Sequence, residues 1–424
     1  MRFIHAADFH LGYQQYGSKD RFNDFSRAFL HVVEQAVDRQ VDFVLLAGDL
    51  FEKRTVEPLA MRVAVDGLDA LRGAGIPVVA IEGNHERPYY GDQYSWVDFL
   101  DGLGYFRLLT PRFEEGRAIL EPHGDAGGAY VDLPSGVRIY GIKYYGAAIG
   151  RVVRLFAEAL AEMDHGGVDF VILAVHAGLE GQMPRYSGTL ALNDLAPLKE
   201  FVDYLAMGHI HKPYAVDGWI YNPGSPETCS MEEVAWPERG YYLVDARPGQ
   251  EPTHRAELIV PPRRPFYSLP LEVDTLTRPE VLYAAVQELI RGRGDEVDPH
   301  SRPVVELVLK GVLSFNRADL DLDHVQDLLD KAWTPLIKPR VRNQTRPAEF
   351  EMVVEAKTGR RDLERAVLRE LVGQDQRYRL AADAWTRVAL EVKRLSLEGA
   401  APEAVIDLLR QSQADLLPEE KEAG

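Results

Sequence analysis

Apolar runs of strand length alternate with amphipathic stretches along the first part of the chain. The run at 41–47 is nearly all apolar, which is typical of a strand buried on both faces, and the segments at 2–7 and 76–81 also predict strands. Residues 22–37 and 57–73 have apolar side chains at helical spacing. This β-α-β-α-β order predicts a layered α/β domain.

Shorter apolar runs continue to about residue 260. The segments 129–133 and 137–142 flank Pro134-Ser135-Gly136 and predict a hairpin. Further predicted elements are a helix at 151–164 and strands at 168–175, 204–207, 219–221, 240–245 and 255–260. We therefore expect the sheet to be mixed, with antiparallel strands in its second half.

The segment Pro261–Pro265 is the clearest linker, and the pattern changes beyond it. Predicted strands at 267–273, 304–310 and 336–341 alternate with predicted helices at 279–292 and 322–333. From residue 361 onward the apolar spacing is helical, with a break at 399–402. The sequence thus predicts a first domain over 1–260, a small α+β domain over 266–355 and C-terminal helices over 361–412.

Composition narrows the classes of protein that fit this pattern. The chain has 424 residues, 46% of them hydrophobic, and no run approaches the roughly 18 apolar residues that a membrane helix needs. Asp8 and His10 lie where a signal peptide would be apolar, and the single Cys229 excludes an internal disulfide, so we expect a cytoplasmic protein. The net charge of −18 argues against indiscriminate nucleic-acid binding, but it leaves room for a local basic track.

Polar motifs follow five of the predicted strands. They are Asp8-Phe9-His10, Gly48-Asp49, Gly83-Asn84-His85-Glu86, His176 and Gly208-His209-Ile210-His211. The carboxyl ends of strands are where α/β sheets place their sites. On an extended backbone, the two polar side chains of Asp8-Phe9-His10 would point the same way. Any one motif is equally well explained as a polar turn, but together they predict a metal centre.

The candidate ligands are Asp8, His10, Asp49, Asn84, His176, His209 and His211. Seven are too many for one ion with an open position, but they suit two ions that share a carboxylate. The absence of a thiolate disfavours a structural zinc site, and the donor mixture suits Mn²⁺, Fe²⁺, Zn²⁺ or Co²⁺. Two ions roughly 3.5–4 Å apart can activate a water for displacement at phosphorus.

The ordered motifs resemble those of the calcineurin-like metallophosphoesterase superfamily. The stretches 5–12, 48–51 and Asn222-Pro223-Gly224-Ser225-Pro226-Glu227 are similar, more narrowly, to its SbcD/Mre branch of DNA-repair nucleases. This resemblance implies a nuclease domain over 1–260, a DNA-capping domain over 266–355 and helices over 361–412 that bind an SbcC-like coiled-coil ATPase. It also implies a homodimer and two divalent ions, with Mn²⁺ the expected metal.

The resemblance also implies roles for single residues. It assigns one ion to Asp8, His10, Asp49 and His211, and the other to Asp49, Asn84, His176 and His209. It makes His85 the acid that protonates the leaving oxygen. The chain departs from many relatives at Glu52, where they have histidine. A carboxylate cannot donate to phosphate unless it is protonated, so we expect a different exonuclease rate or strand geometry.

Three weaker candidates each have an ordinary alternative. Lys338, Arg340 and Arg342 are either a phosphate-binding track or a solvated strand edge. Arg185 and Tyr186 either contact a base or belong to a surface loop. The aromatic residues at 94, 96 and 99 belong either to the homodimer face or to a half-buried helix.

The leading functional prediction is a two-metal DNA nuclease that acts in double-strand break repair with an SbcC-like ATPase. The alternatives are a metallophosphatase or phosphodiesterase of small phosphoesters, and a DNA-binding scaffold without catalysis. A small-substrate phosphatase needs neither the second domain nor the terminal helices, and the full set of ligands counts against a scaffold. The sequence leaves open the metal, the strand polarity and the balance of exonuclease and endonuclease activity.

Overall fold

The computed structural model describes residues 1–89, 91–124, 127–134, 136–164, 166–183, 188–294, 296–333, 340–347, 360–374, 378, 381–397 and 402–416. The chain divides into two compact units. One comprises Met1–Tyr267 with Ser301–Val304, and the other Ser268–His300 with Val305–Gly424. Within the described parts of the chain, no helix has the length and apolar character needed to cross a membrane.

The first unit contains most of the strands. They are β1 (Arg2–Ala6), β2 (Phe43–Leu46), β3 (Val78–Ala80), β4 (Arg107–Leu108), β5 (Arg112–Glu114), β6 (Arg117–Ile119), β7 (Tyr130–Leu133), β8 (Val137–Ile142), β9 (Phe170–His176), β10 (Gly178–Leu179), β11 (Thr189–Leu190), β12 (Tyr204–Gly208), β13 (Tyr214–Val216), β14 (Ile220–Asn222), β15 (Tyr241–Ala246) and β16 (His254–Ile259). Its α-helices are α1 (Lys19–Asp38), α2 (Pro58–Gly73), α3 (Trp96–Gly102), α4 (Ile149–Ala161) and α5 (Leu192–Leu195).

Twelve of these strands form two six-stranded sheets, not the single mixed sheet that their order along the chain suggested, and the other four form the two-stranded pairs β5-β6 and β10-β11. The first sheet has the order β16-β15-β1-β2-β3-β4, in which β1 to β4 are parallel and β15 pairs antiparallel with both β1 and β16. The second has the order β13-β14-β12-β9-β8-β7, with four parallel strands between two antiparallel edges. The predicted hairpin is the antiparallel pair of β7 and β8.

The two sheets pack face to face, which explains why their strands are apolar on both sides. Phe3, Phe43 and Ile172 lie in a buried cluster to which both sheets contribute. The alternate residue of β1, Ile4, belongs to a second cluster with Phe29 of α1, so that helix covers the outer face of the first sheet. Helix α4 covers the second sheet in the same way. The layered α/β prediction is confirmed.

The second unit contains a three-stranded sheet and six α-helices within the described residues. Its elements are β17 (Phe266–Glu272, whose first two residues belong to the first unit), α6 (Pro279–Gly292), β18 (Val304–Leu313, whose first residue belongs to the first unit), α7 (Leu322–Ala332), β19 (Arg340–Pro347), α8 (Arg360–Gln374), α9 (Ala382–Leu397), α10 (Pro402–Gln411) and α11 (Gln413–Leu416). The sheet order is β17-β18-β19, and β18 and β19 are parallel. A strand was predicted at 336–341, but β19 runs later, and residues 334–339 lie outside the described residues.

Candidate metal centre

The candidate ligands come from the carboxyl ends of five parallel strands, three in the first sheet and two in the second. Strand β1 is followed by Asp8 and His10, β2 by Asp49, β3 by Asn84, β9 ends in His176, and β12 is followed by His209 and His211. The first two loops are tied together, because the Asp8 N–H donates to the carbonyl of Gly48 at 3.0 Å and the His10 N–H to that of Asp49 at 3.1 Å.

All seven candidate ligands lie together, in two groups that share Asp49. Donor atoms of Asp8, His10 and Asp49 lie within 4.8 Å of one another, and so do those of Asp49, His176 and His209. His211 joins the first group, since its Nε2 is 3.0 Å from Nε2 of His10. Asn84 joins the second group. Its Oδ1 is 2.8 Å from Nδ1 of His209 and 3.1 Å from Nε2 of His176.

The backbone at these residues is not extended, so the reason given for the paired side chains of Asp8 and His10 was wrong. Asp8, His10, Asp49 and His209 have φ angles of 56°, 49°, 53° and 87°. Such left-handed conformations cost about 1–3 kcal/mol for residues other than glycine and persist only where the surrounding structure holds them. The ligand side chains therefore converge through sharp turns after the strands.

Glycines allow the ligand loops to approach one another closely. A Cβ on Gly83 would lie 2.0 Å from Oδ1 of Asp49, and a Cβ on Gly48 would lie 2.2 Å from Nδ1 of His176. Any larger residue at either position would displace a candidate ligand.

Gly83→Ala should therefore weaken Mn²⁺ binding by at least about 10-fold, because its methyl group must push the Asp49 carboxylate aside. Isothermal titration calorimetry of the metal-free protein measures this affinity. Gly73→Ala is the matched control, since a Cβ at Gly73 meets nothing within 4 Å. Equal affinities for the two variants would show that the Asp49 loop can relax without loss.

The buried carboxylates of the centre need positive charge nearby to be stable. Asp8 and Asp49 are almost fully buried, and no Lys or Arg of the described residues forms an ion pair with either of them. Burial would lower the pKa of His176, but the Asp49 and Asp8 carboxylates outweigh it and raise that pKa to about 9. Burial raises the pKa of Asp8. Since buried carboxylates are stable only when compensated, the centre fits divalent metal ions, and its oxygen and imidazole donors suit them.

His85 lies at the open side of the centre. Its backbone N–H donates to Oδ1 of Asp49 at 2.9 Å, and its Nδ1–H donates to the carbonyl of Glu52 at 2.7 Å. The carboxylate of Glu52 faces His10, with Oε2 at 2.9 Å from Nδ1 of that ring. His85 is thus fixed beside both donor groups, with its Nε2 not used by these contacts.

Sequence reasoning missed three neighbours of the centre. Buried Glu86 accepts the N–H groups of Asp49, Phe51 and Gly83, which ties two ligand loops together. The Tyr144 ring lies 5.1 Å from that of His209. The Cys229 thiol lies within 4.8 Å of donor atoms of the first group. Glu86 completes a motif that was already singled out, whereas the other two lie far along the chain with no spacing to reveal them.

The side chains of the candidate DNA-binding residues lie outside the described part of the chain. Arg185, Tyr186 and Lys338 lie outside the described residues. Arg340 and Arg342 belong to β19, whose backbone alone is described. Their predicted contact with DNA stays a prediction.

Comparison with known proteins gives the family. The model of the calcineurin-like phosphoesterase family matches residues 1–213, half of the chain. The DNA double-strand break repair protein Mre11 of Aeropyrum pernix is 30% identical over 64% of this chain and 64% of its own length. That of Methanococcus maripaludis is 42% identical over 58% of this chain and 63% of its own. The uncharacterized metallophosphoesterase YhaO of Bacillus subtilis is 29% identical over 59% and 58%.

These matches span less than two thirds of the curated relatives. The family model, over residues 1–213, includes all seven candidate ligands from Asp8 to His211. With half of its length matched by the family model, the chain belongs to the calcineurin-like phosphoesterase family.

Proposed function

We propose that the protein is a two-metal-dependent nuclease that hydrolyses phosphodiester bonds of DNA during double-strand break repair. The observation that carries this proposal is the pair of donor groups sharing Asp49, with His85 fixed beside them. Relatives named as double-strand break repair proteins supply the class of substrate. Mn²⁺ is the proposed metal because the family resemblance implies it, and the oxygen and imidazole donors suit it as they also suit Fe²⁺, Zn²⁺ and Co²⁺.

Each residue of the centre has a part in this mechanism. When bound, two divalent ions supply Lewis acidity and activate a water for attack on phosphorus. Asp8, His10 and His211 would hold one ion, Asn84, His176 and His209 would hold the other, and Asp49 would serve both. The Glu52 carbonyl accepts the Nδ1–H of His85, so Nε2, which carries the second proton in the imidazolium form, would be the atom that protonates the leaving oxygen.

The test is hydrolysis by the purified full-length chain after chelation and reloading with Mn²⁺. We expect cleavage of end-labelled single- and double-stranded DNA and of bis-p-nitrophenyl phosphate, a diester. p-Nitrophenyl phosphate, a monoester, distinguishes the alternative of a small-molecule phosphatase. Rapid hydrolysis of the monoester without cleavage of DNA would favour that alternative, and binding of DNA with no hydrolysis at all would favour a scaffold.

The second unit is the part of the chain that we propose binds a partner, an SbcC-like coiled-coil ATPase. Helices α8, α9 and α10 line a groove of about 940 Å³ in which the apolar side chains of Val388 and Leu408 lie beside charged ones. Leu371 of α8 and Leu397 of α9 remain exposed. Since an amphipathic helix must bury its apolar stripe, a coiled coil is the proposed cover. The proposed homodimer would use Trp96 and Phe99 of α3, which are also exposed.

A local basic track is the proposed means of holding DNA, because the net charge of −18 repels it. Changing Lys338, Arg340 and Arg342 together to alanine should weaken the salt dependence of DNA binding. The negative slope of log affinity against log salt concentration should become shallower by at most about 0.9 for each lost phosphate contact. Binding titrations at several salt concentrations measure this slope. Hydrolysis of bis-p-nitrophenyl phosphate should persist, since the metal centre is untouched. Unchanged slopes would place the track elsewhere, with Arg185 and Tyr186 as the next candidates.

A further inference from the structure

The segment from Asn222 to Arg239 surrounds the loop that carries His211. Asn222 is fully buried, and its amide Nδ2 donates to the carbonyls of Ile210 at 2.7 Å and of Lys212 at 2.8 Å. These two carbonyls flank His211 on either side. A single side chain therefore fixes the backbone both before and after one candidate ligand.

The same loop is held from a second direction at Gly224. A Cβ there would lie 2.3 Å from the carbonyl oxygen of His211, and Gly224 has a φ of 73°. The next residue, Ser225, donates its backbone N–H to that carbonyl at 3.3 Å. The Asn222–Glu227 motif, which marked the family resemblance in the sequence, thus packs directly against the backbone of His211.

Glu233 holds the ring of the same histidine. Its Oε1 accepts a hydrogen bond from Nδ1 of His211 at 2.9 Å, and its carboxylate is 4% exposed. Its Oε2 accepts from the backbone N–H of Cys229 at 2.8 Å and from the guanidinium of Arg239 at 2.5 Å. Arg239 is itself buried and also donates to Thr228 at 2.7 Å. The carboxylate has no freedom to turn away from the ring.

These contacts determine which nitrogen of His211 is available to a metal. An ionised carboxylate only accepts hydrogen bonds, so the proton of the ring lies on Nδ1. Nε2, which lies 3.0 Å from Nε2 of His10, is left with its lone pair directed into the first donor group. A histidine ligand oriented by a carboxylate behind it is a common arrangement at metal sites.

We propose that Asn222 and Glu233 are positioning residues for His211, Asn222 through the backbone on both sides of it and Glu233 through its ring. Neither touches the reacting atoms. Their effect is on the affinity of the first donor group for its ion, and loss of such a partner typically weakens metal binding about 10–100-fold. This inference rests on the proposed two-metal centre.

The experiment is calorimetric titration of Mn²⁺ into metal-free full-length protein. Glu233→Gln should weaken one of the two binding events by about 10–100-fold and leave the other within about threefold. The Mn²⁺ concentration that gives the half-maximal rate of bis-p-nitrophenyl phosphate hydrolysis should rise in the same proportion. Glu232→Gln is the matched control, because it removes the same charge from the adjacent, exposed residue. Asn222→Ala should likewise weaken one of the two Mn²⁺ binding events and leave the other nearly unchanged.

Two outcomes separate this inference from the proposed function. Wild-type protein that binds two ions but cleaves no DNA would contradict the function, and the calorimetric difference would still stand. Active wild-type protein whose Glu233→Gln variant binds both ions with unchanged affinity would overturn the positioning role.

Glu233→Gln leaves the buried Arg239 without its anionic partner, which can itself destabilise the fold. Thermal unfolding of the metal-free variant detects this. The double variant Glu233→Gln/Arg239→Met removes both charges, so it leaves no unpaired buried charge that could unfold the protein. We expect the same weakening of one binding event in this variant. Two unchanged binding events in the double variant would overturn the inference.

Discussion

Asp49→Asn is expected to abolish measurable hydrolysis, with a loss of about 10³-fold or more, because several kcal/mol of transition-state stabilisation depend on the two ions acting together. Asp49 is the one residue whose donor atoms belong to both groups of the centre. Asparagine keeps the shape of the side chain and an oxygen that can accept the His85 N–H bond. The variant therefore removes the charge between the two positions and leaves the rest of the loop in place.

Metal content by mass spectrometry and hydrolysis of bis-p-nitrophenyl phosphate measure the two parts of this effect. Asp66→Asn is the control, because Asp66 lies on the exposed face of α2 and pairs with Arg62. Fewer than two ions per chain are expected in the Asp49 variant. Two ions retained, with activity near that of the wild type, would exclude Asp49 as the shared ligand.

His85→Ala is expected to keep both metal ions and the affinity for DNA while slowing cleavage by about 10²–10⁴-fold, the usual contribution of a general acid. The reason is that His85 uses its backbone N–H and Nδ1 to fix its position and leaves Nε2 for the reaction. Calorimetric titration of Mn²⁺, DNA binding and single-turnover cleavage measure the three properties. His31→Ala, on α1, is the control.

The leaving group offers a sharper test of the same role. p-Nitrophenolate leaves without protonation, whereas the alkoxide of a DNA strand needs a proton. The His85→Ala defect should therefore be much smaller with bis-p-nitrophenyl phosphate than with DNA. An equal defect with both substrates would contradict a role as acid, and loss of a metal ion from the variant would make His85 a ligand.

The positions of the candidate ligands could be predicted from sequence because each follows a buried apolar run. A polar residue directly after such a run lies at the end of a strand, and parallel strands bring their ends to one edge. His176 is the simplest case, since it is the last residue of β9 itself. The layered α/β class was predictable for the same reason.

The partners of each element could not be predicted in this way. An apolar run reveals a buried strand but not the sheet to which it belongs, so the division into two sheets was missed. The left-handed backbone conformation of Asp8 and His10 cannot be predicted from the residue types at these positions. Glu233 lies 22 positions after His211 and Asn222 lies 11, at spacings that no local pattern connects.

His5 shows that a motif can contain residues with an ordinary structural role. It belongs to the stretch that carries the family resemblance, yet it is fully buried between the hydroxyl of Tyr204 and the carbonyl of Met207. Burial lowers its pKa to about 3, which keeps the ring neutral. It connects the two sheets beneath the metal centre.

The order of the strands has a consequence for the protein as it is synthesised. Strand β1 lies between β2 and β15, and β15 pairs Arg2 with Asp245. The last candidate ligand along the chain is His211. The Asn222 amide and the Glu233 carboxylate that hold it come still later in the sequence. A nascent chain that ends before these residues lacks β15, the strand that pairs with β1 in the first sheet. It also lacks the side chains that hold His211. We therefore expect hydrolytic competence to arise only after β15, which ends at Ala246, has been synthesised, and fragments that end before it to be inactive.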